Sequence, residues 1–232
     1  MTHRWLHLRL AAPLMAFGDV SIDYVGPTRA HPAQSALTGL LANALGLRRQ
    51  DRAAHGALQV RLIFASLAVM PEGRHSPLVV TDMQNAKLEK SDRGWTTFGA
   101  PEGRAGATYD TPHRRRRDFL ADHETRVVLR LNGTGPPTLE DVALALDRPA
   151  RSLFIGRKPC LPSGPIRAGW TEGRSALDAL RSLGYAGPAL WPDDDHSGPA
   201  VTGALYLDRQ DLRNWQSGLH AGSRAVAEGW IA

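Results

Sequence analysis

Cysteine is almost absent from this 232-residue chain, where Cys160 stands alone. An internal disulfide is therefore excluded, as is a zinc site built on cysteines, and the usage fits a reducing cytosol. Lysine is nearly as scarce. It occurs only at Lys87, Lys90 and Lys158, so almost all of the 28 basic residues are arginine. Arginine is the better fork for phosphate and the better cation for stacking on bases, although a GC-rich genome also produces an arginine-rich chain. Long apolar runs are missing too. Leu62 to Met70 is too short to cross a bilayer, and Arg4, His7 and Arg9 interrupt any signal-like stretch near the start. The expectation is a cytoplasmic protein with no membrane partner.

What is present is a basic excess: the formal net charge is +5 and the sequence pI about 9.9, which biases the partner toward a polyanion. The length allows one compact unit with insertions. We expect residues 1–150 to carry a first part with a protruding hairpin at about 71–118, and residues 151–232 to complete it. Leu6, Leu8 and Leu10 alternate with His7 and Arg9 as in a half-buried strand. A loop rich in glycine and proline is expected from Ala11 to Ala33. Leu37, Leu40, Leu41, Ala44 and Leu45 recur at helical spacing, with Ser35 as expected N-cap and Gly46 as stop. Leu58 to Val69 reads as a second strand and Arg126 to Leu131 as a third. Thr138 and Asp141 suit a capping box for a helix to Leu146. A short helix before Gly184 and a strand at Ala204 to Leu207 follow, while the tail after Asp211 is ambiguous. Two strand–helix pairs predict an α+β, ferredoxin-like sheet with helices on one face, the architecture of RNA-recognition folds.

Two segments concentrate chemistry. In RSLFIGRKPCLPSGPI, residues 151–166, Gly156 permits close approach of the backbone, and Arg157 and Lys158 offer a fork and a mobile charge. The loop reads equally as a phosphate cradle or as an ordinary surface turn. Arg114, Arg115, Arg116 and Arg117 form an unbroken cationic run, and Arg104, Lys87, Lys90 and Arg93 lie in the same insertion with Trp95, Phe98 and Tyr109. A solvated face is the plain alternative.

An enzyme needs a nucleophile, an acid and base pair, or a metal, and no such set assembles along the chain. Asp193, Asp194, Asp195 and His196 read as a solvated acidic turn rather than a cation site, and Cys160 as a packed thiol. A metal-independent ribonuclease would have His31, His113, Tyr24 and Tyr109 to draw on. No cofactor is expected.

Four segments, in order, resemble the CasD family, the subunit numbered five of type I-E CRISPR Cascade and a member of the RAMP superfamily. RLAAPLMAFG at residues 9–18 is similar to its strand and loop R-L-x-G-P-x-Q-A-W-G, with Met15 and Phe17 departing from the family's glutamine and tryptophan. PAQSALTGLLANALG at 32–46 resembles P-T-x-S-G-L-L-G-L-L-G-x-x-L-G. RDFLAD at 117–122 resembles R-E-Y-L-x-D, and FIGRKPCLP at 154–162 resembles Y-L-G-R-R-x-C-x-P. The insertion at 71–113 and the stretch after 167 match nothing reliably.

The resemblance implies a ferredoxin-like RAMP fold whose insertion forms a thumb. It also implies a non-catalytic subunit that caps the 5′ handle of the CRISPR guide RNA in antiviral defence. Its partners would be the crRNA, the backbone subunit and the large subunit of Cascade, with target DNA reached indirectly through the complex. The expected RNA contacts are Gly156, Arg157 and Lys158 at the loop, Gln34 and Ser35 at the start of the first helix, Arg104 and Arg114 to Arg117 at the thumb base, and Arg48 and Arg49. The related type I-C member cuts precursor RNA, which supplies the rival reading of a metal-independent endoribonuclease processing CRISPR repeat RNA. A structural bridge without RNA contact is a third reading.

Overall fold

The structure is a computed structural model that describes residues 1–21, 23–86, 94–95, 101–102, 113–195 and 199–232. The elements are β1 (His3–Met15), β2 (Val25–Gly26), α1 (Gln34–Ala44), α2 (Arg52–Arg61), β3 (Leu62–Val69), β4 (Val79–Ala86), β5 (Gly94–Trp95), β6 (Pro101–Glu102), β7 (His113–Leu131), α3 (Leu139–Asp147), β8 (Arg167–Gly173), α4 (Ala176–Arg181), β9 (Gly187–Pro192), β10 (Leu205–Arg213) and β11 (His220–Ile231).

Seven strands run β10-β11-β9-β3-β7-β1-β8 in one sheet, β2 and β4 pair with the first half of β7, and β5 pairs with β6 apart from it. Every pairing along the seven-strand path is antiparallel. Its centre is β7, whose Val127, Val128 and Leu129 are all fully buried. Three consecutive apolar residues cannot share one face of a strand, so both faces of the sheet must be covered. On one side Leu6, Leu8, Leu10, Phe64 and Leu129 pack with Leu37 and Leu41 of α1, Leu58 of α2 and Val142 of α3. On the other, Trp5, Leu67 and Val128 pack with Leu177 and Leu180 of α4. The expected placement of all helices on one face is thereby corrected: α4 takes the second.

Several boundaries also move. The first strand continues through Pro13 to Met15, where a loop was expected. Between the pairs Ala12–His123 and Leu14–Ala121, Pro13 stands opposite Asp122, whose φ of 43° breaks the regular ladder, so the missing N–H is tolerated there. Residues 58–61 are helical instead of extended. His55, Leu58 and Gln59 are the buried residues of α2, at helical spacing, and Val60, which fitted the alternation, is 82% exposed. The third strand opens at His113 rather than Arg126, and β8, β9 and β11 add to the expected strands.

Ser35 is not the N-cap of α1. Ala33 holds that position without a side-chain hydrogen bond, and the first helical N–H, that of Gln34, donates to Asp211 Oδ2 at 3.2 Å. The cap therefore comes from β10. The capping box of Thr138 and Asp141 is present on α3, and Gly46 ends α1 with φ of 83°. Within the expected insertion, β4 pairs antiparallel with the first part of β7, in continuous register from Val79–Leu120 to Ala86–His113.

Candidate nucleic-acid interface

The loop after α3 is drawn against β1 by backbone bonds: Ala16 N donates to Ile155 O at 3.3 Å, and Ile155 N to Cys160 O at 2.8 Å. Gly156 is needed for this closure. Its φ is 86°, and a Cβ there would lie 1.5 Å from the Ala16 carbonyl oxygen, so the glycine serves the chain's own close approach.

Arg157 follows, and its guanidinium donates to the carbonyls of Asp118 (2.9 Å) and Gly26 (2.8 Å) while lying 4.6 Å over the Phe119 ring. Desolvation and the neighbouring Arg117 lower its pKa from the ordinary arginine value. Lys158 is exposed, and its ammonium has no partner among the described residues.

The arginine run lies on β7, where side chains alternate. Arg115 and Arg117 share the face of Phe119, and hence of Arg157; Arg114 and Arg116 point the other way. Arg117 Nη1 reaches the Tyr24 carbonyl at 3.5 Å, Arg115 Nη1 the Asp23 carbonyl at 3.5 Å, and Arg116 Nε the Asp118 carboxylate at 3.3 Å. Among the described residues, the three arginines on the loop side hydrogen-bond backbone carbonyls rather than carboxylates, and the Asp118 carboxylate lies near enough to Arg157 to act on its charge.

Beside them a cleft of about 360 Å³ opens over α1, lined by Ser35, Gly39, Asn43, Phe154, Gly156 and Arg157 among others. A second, of about 550 Å³, adjoins it across Gly39, Asn43, Phe154, Arg213 and Trp215, and is rimmed by Arg48, Arg49 and Arg52. These three rim arginines are exposed, and their guanidinium groups have no partner among the described residues.

The family model described as CRISPR-associated protein (Cas_Cas5) matches residues 5–227. The chain belongs to this Cas5 family. The CRISPR system Cascade subunit CasD of Escherichia coli (strain K12) is 26% identical over 194 residues, covering 84% of this chain and 83% of that protein. A solved structure described as a CRISPR RNA-guided surveillance complex superposes with a TM-score of 0.64 at 21% identity, over 98% of this chain and 89% of that one. Another, a crystal structure of a Cas protein, superposes with a TM-score of 0.56 at 18% identity, over 100% of this chain and 95% of that one. The fold, dominated by a large antiparallel sheet, is shared with them.

In this Cas5-family chain the residues singled out by sequence separate clearly. Ser35, Gly156 and Arg157 meet at one cleft, Arg48 and Arg49 line the next, and Arg117 stands next to Arg157. Gln34 is buried, and its amide donates to the Gln59 and Leu62 carbonyls at 2.6 and 3.3 Å. Its side chain and its N–H are thus both committed inside the protein, and the anion at the start of α1 is Asp211. That carboxylate also takes Arg224 Nε at 3.1 and 3.0 Å. Arg104, Lys87, Lys90, Arg93, Phe98, Tyr109 and the side chain of Trp95 lie outside the described residues.

Of the residues named for a nuclease, Tyr24 lies beside Arg116 near the start of β7, where its carbonyl accepts the Arg116 N–H at 3.0 Å, Tyr109 lies outside the described residues, and the two histidines are held apart. His31 is wholly buried, its Nδ1 3.1 Å from Ser66 Oγ, and burial with Arg209 nearby lowers its pKa to about 3. Ser66 pairs with Val127, whereas His113 opens the same β7 strand, on the order of 40 Å away along the chain at about 3.3 Å per residue. Cys160 is buried, with its thiol pKa raised by desolvation. Asp195 is no merely solvated turn residue, since its carboxylate accepts the Leu177 N–H at the start of α4 at 2.7 Å; His196 lies outside the described residues. No cluster of three or more metal-ligating side chains occurs, and no helix is long and apolar enough to cross a membrane, among the described residues.

Sequence reasoning missed Phe154 as a lining residue, Arg52, Arg213 and Trp215. A signal existed for the last: Asn214 and Gly218 bracket a turn that presents the tryptophan between two strands.

Proposed function

We propose that the chain is a non-catalytic RNA-binding subunit of a type I-E, Cascade-like CRISPR complex, capping the 5′ handle of the guide RNA. The observation that carries this reading is the grouping of Arg115, Arg117 and Arg157 on one side of β7, hydrogen-bonded to backbone carbonyls rather than carboxylates among the described residues, with Arg157 lining an open cleft. Cations resting on carbonyls retain their full charge toward a polyanion, and an approaching phosphate replaces weak contacts rather than ion pairs. A cleft lined by Phe154 and small residues then accommodates unstacked bases, the way single-stranded RNA is read.

The strand order β3-β7-β1-β8, with α1 and α2 between β1 and β3 and α3 between β7 and β8, supports a ferredoxin-like RAMP core. In this reading the β4–β7 hairpin is the base of the thumb. Family membership and the similarity to CasD support assembly with backbone and large Cascade subunits in the cytoplasm, contact with target DNA only through the complex, and a role in antiviral defence without a cofactor.

The test is incubation of the purified full chain with CRISPR repeat RNA in EDTA, together with binding measured against salt. The expected result is intact RNA and a binding constant that falls steeply with salt. A discrete metal-independent cut would establish the endoribonuclease reading instead, and absence of any RNA contact within the assembled complex would leave a structural bridge.

A further inference from the structure

The second cleft gathers cations from three separate parts of the chain. Arg48, Arg49 and Arg52 come from the connection between α1 and α2 and the first turn of α2, Arg151 from the loop after α3, and Arg213 from the end of β10. All five are exposed, and no carboxylate lines the cleft among the described residues. Asp51 stands between the rim arginines in sequence, but its carboxylate accepts the Arg48 backbone N–H at 2.7 Å. Arg151 is accounted for by the chain itself. Its guanidinium donates to Asn43 Oδ1 at 2.8 Å and to the carbonyls of Gly46 (3.3 Å) and Leu47, at the end of α1 where a cation suits the helix dipole. The other four guanidinium groups have no hydrogen-bond or carboxylate partner among the described residues.

Arginines elsewhere are neutralised, as Arg9 is by Glu124 at 2.7 Å and Arg167 by Asp147 at 2.7 Å. Like charges brought together without a counter-ion cost stability, and a fold that still holds them in place leaves the cleft short of an anion. Arg213 in particular is held. Its backbone N–H donates to Gln59 Oε1 at 3.2 Å, its carbonyl accepts Gln59 Nε2 at 3.1 Å, and its guanidinium lies 5.3 Å from the Trp215 ring. The indole N–H donates to the same Gln59 Oε1 at 3.2 Å, and the His55 ring backs it at 4.7 Å. On its other side the indole touches α1, where a Cβ on Gly39 would lie 3.8 Å from Cη2. Trp215 is therefore a wall of the cleft, with its own surface already covered. The cleft, at about 550 Å³, has the size of a small-ligand site. It shares Gly39, Asn43, Phe154, Arg213 and Trp215 with the first cleft, so Arg157 and the four free cations lie along one groove.

We infer that this cleft binds consecutive phosphates of a single RNA strand, taken by Arg48, Arg49, Arg52 and Arg213, with the bases turned out of it. The inference rests on the RNA-binding reading and extends it, since the strand received beside Arg157 continues along the groove into the second cleft. Guanidinium forks match phosphate oxygens two at a time, and four of them spread over one cleft suit a row of phosphates better than a single anion. With the indole occupied by His55, Arg213 and α1, the recognised group is the backbone, so the site fixes the path of the strand without reading its sequence. A free polyphosphate carries the same chemistry, and the test separates the two sources.

The experiment titrates the full chain with fluorescein-labelled octauridylate over a series of salt concentrations, and follows its thermal midpoint with inorganic tripolyphosphate. The triple variant Arg48→Gln, Arg49→Gln, Arg52→Gln is expected to lower the slope of log K against log salt by about 2, at about 0.7 for each phosphate no longer neutralised. Arg52→Gln alone should lower it by about 0.7, which keeps the test decisive if the triple variant is unstable. Octaadenylate should show the same changes in slope as octauridylate. Tripolyphosphate should raise the midpoint of the wild-type chain, and this rise should largely vanish in the triple variant. If the wild-type chain binds octauridylate and both variants keep its slope, the phosphate site is overturned and the RNA-binding reading stands. Changes in slope that differ between the two oligonucleotides overturn backbone recognition in the same way. If the wild-type chain binds tripolyphosphate but no octauridylate, the cleft serves a free polyphosphate, and this inference falls together with the RNA-binding reading. If it binds neither, both fall as well.

Discussion

A methyl group in place of one hydrogen of Gly156 would press a carbon to within 1.5 Å of the Ala16 carbonyl oxygen, on a backbone already at φ of 86°. Neither the strand nor the loop can retreat cheaply, because their hydrogen bonds join them at that point. Gly156→Ala is therefore expected to cost at least about 2 kcal/mol of stability, read as a lowered urea midpoint. Unchanged stability would show that the loop is not seated on β1. The same residue scale explains Arg157. Its guanidinium is held by two carbonyls and an aromatic ring, so it contributes to closing the loop as well as to the positive field of the cleft.

At the scale of elements, the four consecutive arginines become two pairs, because β7 is regular through the β4 pairing and its side chains alternate. The pair Arg115 and Arg117 shares the face of Phe119 and Arg157, and the pair Arg114 and Arg116 faces away. Replacing Arg115 and Arg117 by Ala should weaken RNA binding and reduce the slope of log K against log salt by about 1.4, at about 0.7 for each phosphate that is no longer neutralised. Replacing Arg114 and Arg116 should change that slope much less. Equal effects would mean that total charge, not the face, governs binding. The helix α1 illustrates a second element-level point. Its cap is Asp211 of β10, which also holds Arg224, so the C-terminal hairpin fixes the helix that floors both clefts.

The whole molecule carries several histidines in places where charge is penalised. Burial lowers the pKa of His31 to about 3 and that of His123 to about 4; His7 falls to about 4 through burial and the nearby Arg126. In the unfolded chain each titrates near the ordinary 6.5, so on acidification the unfolded state takes up protons first. Stability is then complete above about pH 6.5 and is lost as pH falls toward 4, by up to about 1.4 kcal/mol per pH unit for each of His31 and His123. Urea unfolding at pH 7.5, 6.5 and 5.5 should show this decline. The double variant His31→Gln, His123→Gln should flatten it; an undiminished decline in that variant would remove these histidines as its source.

Local pattern sufficed where local physics decides. The alternation of Leu6, Leu8 and Leu10, the spacing of Leu37 and Leu41, the box of Thr138 and Asp141 and the stop at Gly46 all appear as read, because strand faces, helix faces and caps depend on residues a few positions apart. The four family segments likewise lie within the matched span. Tertiary structure alone decided the rest. Val60 fits an alternating pattern as well as a helix, and only the burial of His55, Leu58 and Gln59 selects the helix. Gln34 looked like an RNA contact until β10 delivered Asp211 to the same N–H from 177 positions away. Trp215 meets Gly39 of α1 only through the turn between β10 and β11. Such contacts join distant parts of the chain through the sheet, and the residues that make them carry no mark of one another in sequence. The composition set the sign of the charge, and the fold decided which arginines, among the described residues, line the clefts without an ion pair.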